Sequence, residues 1–445
     1  MTHNEIKISD HFTMFRLLRF TFPSIVTLVF TSIYGIVDGF FVSNFTGKTA
    51  FAAVNFIMPL LMLLGGAGFL FGTGGGALIA KTLGEGNQKK ANETFSLVVY
   101  ATIASGVVIA LCGLVALRPV AVLMGAEGEL LNGCIRYGRI ICATLPFFIV
   151  QFEFQCLFSV AGKPKLGLFV TVAAGCTNMI LDGLLVGVLG WGLEGAAGAT
   201  AIAQGVGGII PIVYFSRKNS SNLKLGKTTF SGRSLLKTVT NGSSELVNSV
   251  SASVVGMLYN ILLMKYIGEN GVASYGVLMY VNLVFNAIFI GYSMGASPIA
   301  GYNYGAKNHA ELKNIHRKSK TVIFVCSLGM LAASEFLARP LSKIFVGYDM
   351  DLLELTVQAF RIVSFVFLFS GFSIYGSSFF TALNNGLTSA LISFLRTLVF
   401  QCSCVIFLPL IFGADSVWFS IVAAELLSTI TTAIFFAAKR KTYGY

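Results

Sequence analysis

The sequence predicts an all-α integral membrane protein with twelve transmembrane helices, arranged as two six-helix lobes related by a pseudo-twofold axis along the membrane normal. The composition, the number of apolar runs and an internal repeat predict this fold. Of 445 residues, 55% are hydrophobic and 11% are charged. A soluble globular protein has about 25% charged residues, so this chain has too few to cover a surface in water. At about 20 apolar residues per span, its apolar content is enough for about a dozen helices.

Twelve apolar runs are long enough to cross a bilayer, and short polar turns separate most of them. They lie near residues 20–43, 51–79, 95–117, 138–160, 167–189, 196–215, 235–264, 272–300, 321–338, 355–382, 388–411 and 417–437. One break, SRKNSSNLKLGKTTFSGR, is long and polar enough to be a linker. We therefore predict an amino-terminal lobe at 1–215, a cytoplasmic linker at 216–233 and a carboxyl-terminal lobe at 234–445.

The positive charges are distributed unequally between the two sides of the predicted bundle. Lys and Arg number 22 on the side of the amino terminus and 8 on the other side, and Arg396 lies inside a helix. Because loops rich in Lys and Arg stay in the cytoplasm, both termini and the linker are expected there. The net charge of +12 is thus explained by topology, and we expect no nucleic-acid partner.

The chain aligns with itself at an offset of 221 residues. The loop after the predicted second helix reads LGEGNQKKA and the loop after the eighth reads YGAKNHAEL, while Arg118-Pro119 matches Arg339-Pro340 at equivalent helix ends. Six helices return a chain to its starting side, so the two copies are parallel repeats. In such an architecture a cavity lies between the halves near mid-membrane, and rocking of the halves gives alternating access.

Acidic side chains inside the predicted helices are candidates for function, because an unpaired carboxylate in a bilayer is energetically costly. Asp38 and Asp182 lie at similar depths in the outer half of the first lobe. Asn178 precedes Asp182 by four residues and shares its helical face. Two carboxylates and a carboxamide suit either reversible protonation or the binding of a hard cation such as Na⁺. The alternative is that these groups cap or brace helices loosened at nearby glycines.

Three further acids are candidates for a substrate contact or a second cation site. Glu245 is expected near the amino terminus of the seventh helix. There, stabilisation of a carboxylate by the helix dipole would explain its presence as well as a substrate contact would. Glu425 lies eight residues into the predicted twelfth helix, too deep for a cap. Glu153 alternates with aromatic residues in VQFEFQCLF, a pattern that is ambiguous on a helix.

Two other features could be mistaken for enzyme motifs. The glycine cluster of GTGGG at 72–76 lies deep in an apolar helix, with no preceding strand and no GK[ST], so close helix packing or a bend explains it better than a nucleotide loop. Asp349 and Asp351 form a close acidic pair, but no histidine cluster joins them. We therefore expect no enzyme and no cofactor beyond a coupling ion.

In these residues and in the segments around them, the chain resembles the multidrug and toxic compound extrusion (MATE) transporters, in particular the bacterial DinF-like and MepA-like branches. The resemblance covers nearly the whole chain and rests on PSIVTLVFTSIYGIVDGFFVSNFTGKTAFAAVN, FGTGGGALIAKTLGEGNQKKA, AGKPKLG and MGASPIAGYNYGAKN. Members of this family have two six-helix lobes in a V and export organic cations and drugs in exchange for Na⁺ or H⁺. The resemblance implies a bacterial cytoplasmic-membrane antiporter with a drug-like or cationic small-molecule partner, and we expect a monomer in the lipid bilayer.

Carried over residue by residue, Asp38 matches the first-helix aspartate of the family. Asn178 and Asp182 match the Asn-x-x-x-Asp of the fifth helix in the DinF-like branch, so the resemblance implies that the three residues bind the coupling H⁺ or Na⁺. The tenth helix lacks the aspartate of NorM-like members, so coupling is expected to depend on the first lobe. The alternative function is a flippase or exporter of a lipid-linked or other endogenous metabolite, which would need a strongly cationic central cavity.

Overall fold

Almost the whole chain is helical, as the sequence predicts. The computed structural model describes residues 6–347 and 349–445; residues 1–5 of the predicted first lobe and the side chain of Lys48 lie outside the described residues. Within these ranges there is no β-strand. The prediction of twelve spans in a two-lobe fold is confirmed: eleven helices are long and apolar enough to cross a membrane, and a pair bent by 46° at Phe365 supplies the twelfth span.

The helices are numbered α1 to α12 by span. In the first half they are α1 Met14–Phe45, α2 Thr49–Gly84, α3 Gln88–Leu123, α4 Gly128–Val160, α5 Pro164–Val188 and α6 Gly192–Ser216. In the second half they are α7 Gly232–Tyr266, α8 Glu269–Gly305, α9 His309–Val346, α10 Met350–Ser364 with Val366–Ala382, α11 Gly386–Phe412 and α12 Ser416–Tyr443. We call the end of the bundle where α1 begins and α12 ends the basic end.

Several helices extend beyond the predicted apolar runs, because polar caps and amphipathic turns lengthen them at the basic end. The side chain of Asn87 accepts a hydrogen bond from the backbone N–H of Lys90 and so caps α3. Asn308 caps α9 in the same way, through the N–H of Glu311. These two asparagines are 221 residues apart, so the repeat found in the sequence is preserved as matching helix starts.

The two lobes meet at the basic end, where α2 crosses α8 with almost no space between the backbones. A Cβ atom added to Gly84 would lie 1.9 Å from the carbonyl oxygen of Tyr302, and one added to Gly305 would lie 2.0 Å from that of Lys81. Positions 81 and 302, like 84 and 305, are 221 residues apart, so the two contacts are equivalent. The pseudo-twofold axis therefore passes through this crossing, which only glycine permits.

A second close crossing joins α2 to α7. A Cβ atom on Gly74 would lie 2.0 Å from the carbonyl oxygen of Thr238, and one on Gly242 would lie 2.0 Å from that of Leu70. The interpretation of the glycine cluster at 72–76 as a helix-packing feature is thus confirmed, since backbone-to-backbone packing leaves no space for side chains.

The segment before α1 adds a third contact between the lobes. His11 lies 2.7 Å from the carboxylate of Glu311 on α9, and the backbone N–H of Phe12 donates to the same carboxylate at 2.9 Å. Asn314 of α9 donates to the carbonyl oxygen of Phe12, whose ring is fully buried. The start of the first lobe is therefore fastened to the second lobe at the basic end.

At the opposite end of the bundle the two lobes have separate cores. One core contains Ile57 and Tyr137 and draws every member from α1 to α6. The other contains Tyr259 and Trp418 and draws every member from α7 to α12. By contrast, the core at the basic end combines residues of both lobes, including Phe95 and Ile299. The lobes are thus joined at one end and packed independently at the other.

We expect Gly84→Ala to weaken the crossing of α2 and α8. The added methyl group has no space beside the Tyr302 carbonyl, and overpacking of this kind costs about 1–3 kcal/mol. The matched control is Gly329→Ala in α9, where a Cβ meets no atom within 4 Å and should help the helix. Thermal unfolding in detergent should show a lower midpoint for Gly84→Ala alone. Equal midpoints for the two variants would contradict the close crossing.

Candidate functional site

The two aspartates of the first lobe lie beside each other inside the bundle. Asp38 projects from α1 and Asp182 from α5, and these helices pack together. The two carboxyl groups are within interaction range, and Asn178 of α5 and Thr200 of α6 lie with them. Asp182 is 0% exposed and Asn178 is 2% exposed, while Asp38 is partly exposed. The structure therefore brings together the three residues that sequence analysis selected.

These side chains have more acceptor oxygens than donors. Asn178 uses its amide nitrogen to donate to the Thr200 hydroxyl at 3.3 Å. Its oxygen, both oxygens of Asp182 and Oδ1 of Asp38 are buried without a hydrogen-bond partner among residues 6–347 and 349–445. Buried acceptors normally have partners, because desolvation otherwise costs free energy. A proton or a small cation bound here would satisfy them.

The backbone of α5 changes at Asp182. From Asp182 to Val188 the helix has π geometry, with a wider turn than the α-helix that precedes it. Single π turns occur often at functional sites, because the extra residue redirects side chains and frees backbone groups. Sequence analysis did not predict this segment, and its apolar and glycine residues give no distinct signal for it.

Two tyrosines complete the first-lobe site. Tyr34 of α1 and Tyr137 of α4 both lie within electrostatic range of Asp38. Tyr137 is 1% exposed, and its hydroxyl has no hydrogen-bond partner in the described part of the chain. Sequence analysis missed both residues, because the chain has 15 tyrosines and nothing in their spacing distinguishes these two.

Two further candidate acids, Glu153 and Glu245, lie on α4 and α7. Glu153 of α4 is 0% exposed, and neither of its oxygens has a hydrogen-bond partner within the described ranges. Glu245 lines a small cavity of about 30 Å³ between the lobes, together with Thr73 of α2 and Ser297 of α8. Cys156 of α4, which lines the same cavity as Glu245, lies within electrostatic range of both glutamates.

The expectation that Glu245 lies at the amino terminus of the seventh helix is wrong. α7 begins at Gly232, and Ser231 caps it through the N–H of Ser234. Glu245 is thus more than three turns inside the helix, and the dipole of the helix terminus does not explain it. The polar sequence before Glu245 is helical because it packs against α2, a tertiary contact that hydropathy alone does not reveal.

Glu425 has a partner that sequence analysis did not assign. The Nε atom of Arg396 on α11 donates to both carboxylate oxygens of Glu425, each at 3.0 Å. The two side chains are 15% and 6% exposed, so the pair is largely withdrawn from water. Arg396 lies in a second π-helical segment, Leu395–Phe400. An ion pair of this kind lowers the cost of placing both charges inside the bundle.

The repeat shows that the two lobes have diverged at these positions. Arg396 and Glu425 correspond, at the offset of 221, to Gly175 and Gln204 of the first lobe. Conversely, Asp38 corresponds to Tyr259, whose hydroxyl donates to Gln401 at 3.2 Å. As far as the structure describes the chain, the first lobe therefore holds adjacent acids without a basic partner, and the second holds an acid neutralised by arginine.

Comparisons with known proteins agree with this architecture. The MatE family model matches residues 23–184 and 246–406, one segment in each lobe. The multidrug export protein MepA of Staphylococcus haemolyticus is 28% identical over 365 residues, which is 80% of each chain. MepA of Staphylococcus aureus is 24% identical over 422 residues, 94% of this chain and 92% of that one.

The fold also matches solved structures. A structure described as the outward-facing conformation of a multidrug resistance MATE family transporter of the MOP superfamily superposes with a TM-score of 0.93. The two sequences are 21% identical, and the match covers 100% of this chain and 99% of that chain. At this identity the likeness concerns the fold alone.

Removing one member of the Arg396 and Glu425 pair should destabilise the protein strongly. Arg396→Met leaves a buried carboxylate without a partner, at a cost of about 3–5 kcal/mol, whereas the double variant with Glu425→Met should recover most of that loss. The control is Arg339→Met, which breaks an exposed pair with Glu354 and should change little. Thermal unfolding in detergent measures all three. A loss for Arg396→Met no larger than for Arg339→Met would disprove the role of the buried pair.

Proposed function

The chain belongs to the MatE family, and from this premise we propose that it is a secondary antiporter exporting amphipathic organic cations in exchange for H⁺ or Na⁺. The single observation that carries this proposal is the pair of adjacent carboxyl groups of Asp38 and Asp182, of which Asp182 is fully buried and Asp38 is partly exposed. Asn178 supplies a further unpartnered oxygen beside them. The MepA relatives are described as multidrug export proteins, which supports the export of small molecules.

Exchange follows from the chemistry of two neighbouring carboxyl groups. Two carboxylates in a poorly hydrated site repel each other when both are ionised, so the site favours taking up one proton or one cation. A hard cation such as Na⁺ would be held by carboxylate and amide oxygens, of which this site has several. A substrate with positive charge would be attracted by the same groups. Competition between the coupling ion and the substrate would then link their movements in opposite directions.

The contacts between the lobes support alternating access. They are concentrated at the basic end, where Gly84 meets the Tyr302 backbone and Phe12 meets α9, while the cores at the opposite end are separate. We infer that this state opens toward the opposite end. In the other state the basic-end contacts would separate and the first-lobe site would open toward the basic end.

The charge distribution supports an orientation for the transporter. The loops and helix termini at the basic end hold most of the Lys and Arg residues of the chain. By the positive-inside rule we place this end, with both termini, in the cytoplasm of a bacterium. The coupling ion would then enter the first-lobe site from outside, and the substrate would leave in that direction.

A flippase for a lipid-linked intermediate has less support. It would need a cationic central cavity to hold phosphate groups. The lining of the cavity between the lobes, as far as the described residues show, includes Glu245 and neither Lys nor Arg. Arg396, which is largely buried inside the bundle, is engaged by Glu425.

Replacing either aspartate by asparagine should abolish coupled transport. The amide keeps the size of the side chain but cannot carry the charge that binds H⁺ or Na⁺. The measurement is uptake of a fluorescent organic cation into inverted vesicles, driven separately by a lumen-acid pH gradient and by a lumen-high Na⁺ gradient. Asp38→Asn and Asp182→Asn should each fall to the level of vesicles without the protein, and the gradient that drives the wild type identifies the ion.

The control is Asp415→Asn, the same change at an exposed residue before α12 whose side chain makes no capping hydrogen bond. It should transport like the wild type. Normal uptake by both Asp38→Asn and Asp182→Asn under either gradient would show that coupling does not use this site.

A further inference from the structure

A groove with a volume of about 610 Å³ lies between α9, α10 and α12 at the basic end of the second lobe. Its rim carries four cationic side chains, Lys313, Arg317, Lys320 and Arg440. The floor is mostly apolar and aromatic and includes Phe372, Ala433, Phe436 and Ala437. The groove is distant in the fold from the aspartate site, which belongs to α1, α5 and α6.

No acidic side chain within 6–347 and 349–445 is paired with the four cations on the rim. Lys313, Arg317 and Lys320 follow each other at spacings of four and three residues and so share one face of α9. All three, with Arg440 of α12, are exposed. No acidic residue lines the groove, and none of the four forms an ion pair with any residue that the structure describes.

The apolar floor continues from the rim toward the middle of the membrane. On α9, Phe324 is 53% exposed and Leu328 is 46% exposed, one and two turns beyond Lys320. On α12, Ile430 is 49% exposed, one turn beyond Ala433. A cationic rim followed by an exposed apolar track is complementary to an anionic amphiphile, whose head group is negative and whose acyl chains are apolar.

In the first lobe, part of the chain covers the surface that is equivalent to this groove. There the linker between α6 and α7 lies along α3: the backbone N–H of Lys224 donates to Asn92 at 3.1 Å, and that of Gly226 donates to Ser96 at 3.0 Å. Leu223 is fully buried in the same core cluster as Phe95. In the first lobe the chain itself therefore fills the space beside α3.

The second lobe has different side chains at the equivalent positions of α9. At the offset of 221, Lys313 and Arg317 stand where the first lobe has Asn92 and Ser96. The two residues that bind the linker in one lobe are thus cations in the other. The ring centroids of Tyr445 and His316 are 4.9 Å apart, and both residues line the groove.

We propose that this groove binds an anionic phospholipid from the leaflet at the basic end. The phosphate lies between Lys313, Arg317 and Lys320, where ammonium and guanidinium groups donate charge-assisted hydrogen bonds. The acyl chains follow the exposed apolar faces of α9 and α12. Each basic residue near a membrane surface adds attraction for anionic lipid, and here three are held on one rigid face. This proposal does not depend on the direction, substrate or coupling ion of transport.

The test uses the full-length protein, stripped of lipid in detergent and titrated with dioleoylphosphatidylglycerol while native mass spectrometry counts bound lipids. The key variant combines Lys313→Asn, Arg317→Ser and Lys320→Val, which introduces the residues found at the equivalent positions of the first lobe. The matched control combines Lys165→Asn, Arg217→Ser and Lys227→Val, which removes the same charges from exposed residues at the same end. We expect the key variant to bind the lipid about a hundredfold more weakly than the wild type and the control.

Dioleoylphosphatidylcholine and inorganic phosphate serve as comparison ligands. The proposal requires that phosphatidylglycerol binds more tightly than either and raises the unfolding midpoint of the wild type and the control but not of the key variant. Equal retention by the key variant and the control, equal binding of phosphatidylcholine, or equal binding of free phosphate would each overturn it. Should the triple variant not fold, Arg317→Ser alone should weaken binding about fivefold, and an unchanged affinity would again refute the site.

Discussion

The cost of placing charge inside a bilayer is the constraint on which the rest of this structure depends. It limits charged residues to 11% of the chain and confines most Lys and Arg to loops and helix ends. The two lobes differ in whether the acidic residues inside the bundle are paired with a basic residue. In the second lobe Arg396 neutralises Glu425, while in the first lobe Asp38 and Asp182 lie together with no basic partner among the residues that the structure describes. An unneutralised site of that kind gains stability from a proton or a cation, which is what a coupled carrier requires.

The internal repeat gives the two lobes a common framework, and their differences indicate separate roles. Matching helix caps at Asn87 and Asn308 and the reciprocal crossing at Gly84 and Gly305 preserve the symmetry where the lobes touch. Away from that contact, equivalent positions have changed chemistry. Asn92 and Ser96 bind the linker in the first lobe, and the equivalent residues of the second lobe, Lys313 and Arg317, are cations on the rim of a groove.

Periodicity and hydropathy were enough to predict the helices, because every backbone polar group in a bilayer must be satisfied within its own helix. The same reasoning placed Asn178 and Asp182 on one face, and depth placed Asp38 at their level. It failed at Glu245, where polar sequence continues the helix by packing against α2. It also missed the π-helical turn at Asp182 and the two tyrosines beside the site, since none of these leaves a periodic signal.

The sequence by itself determined that this is a membrane protein of twelve spans in two parallel repeats, with scarce acids as the candidates for function. These properties follow from composition and local spacing, which a linear chain displays directly. Only the tertiary structure decided which of those acids are neutralised. It paired Glu425 with Arg396, left Glu153 fully buried with no hydrogen-bond partner in the described part of the chain, and set Asp38 beside Asp182 across two helices. Such pairings depend on helix packing over a few ångströms, and residues far apart in sequence become neighbours only when the helices are in place.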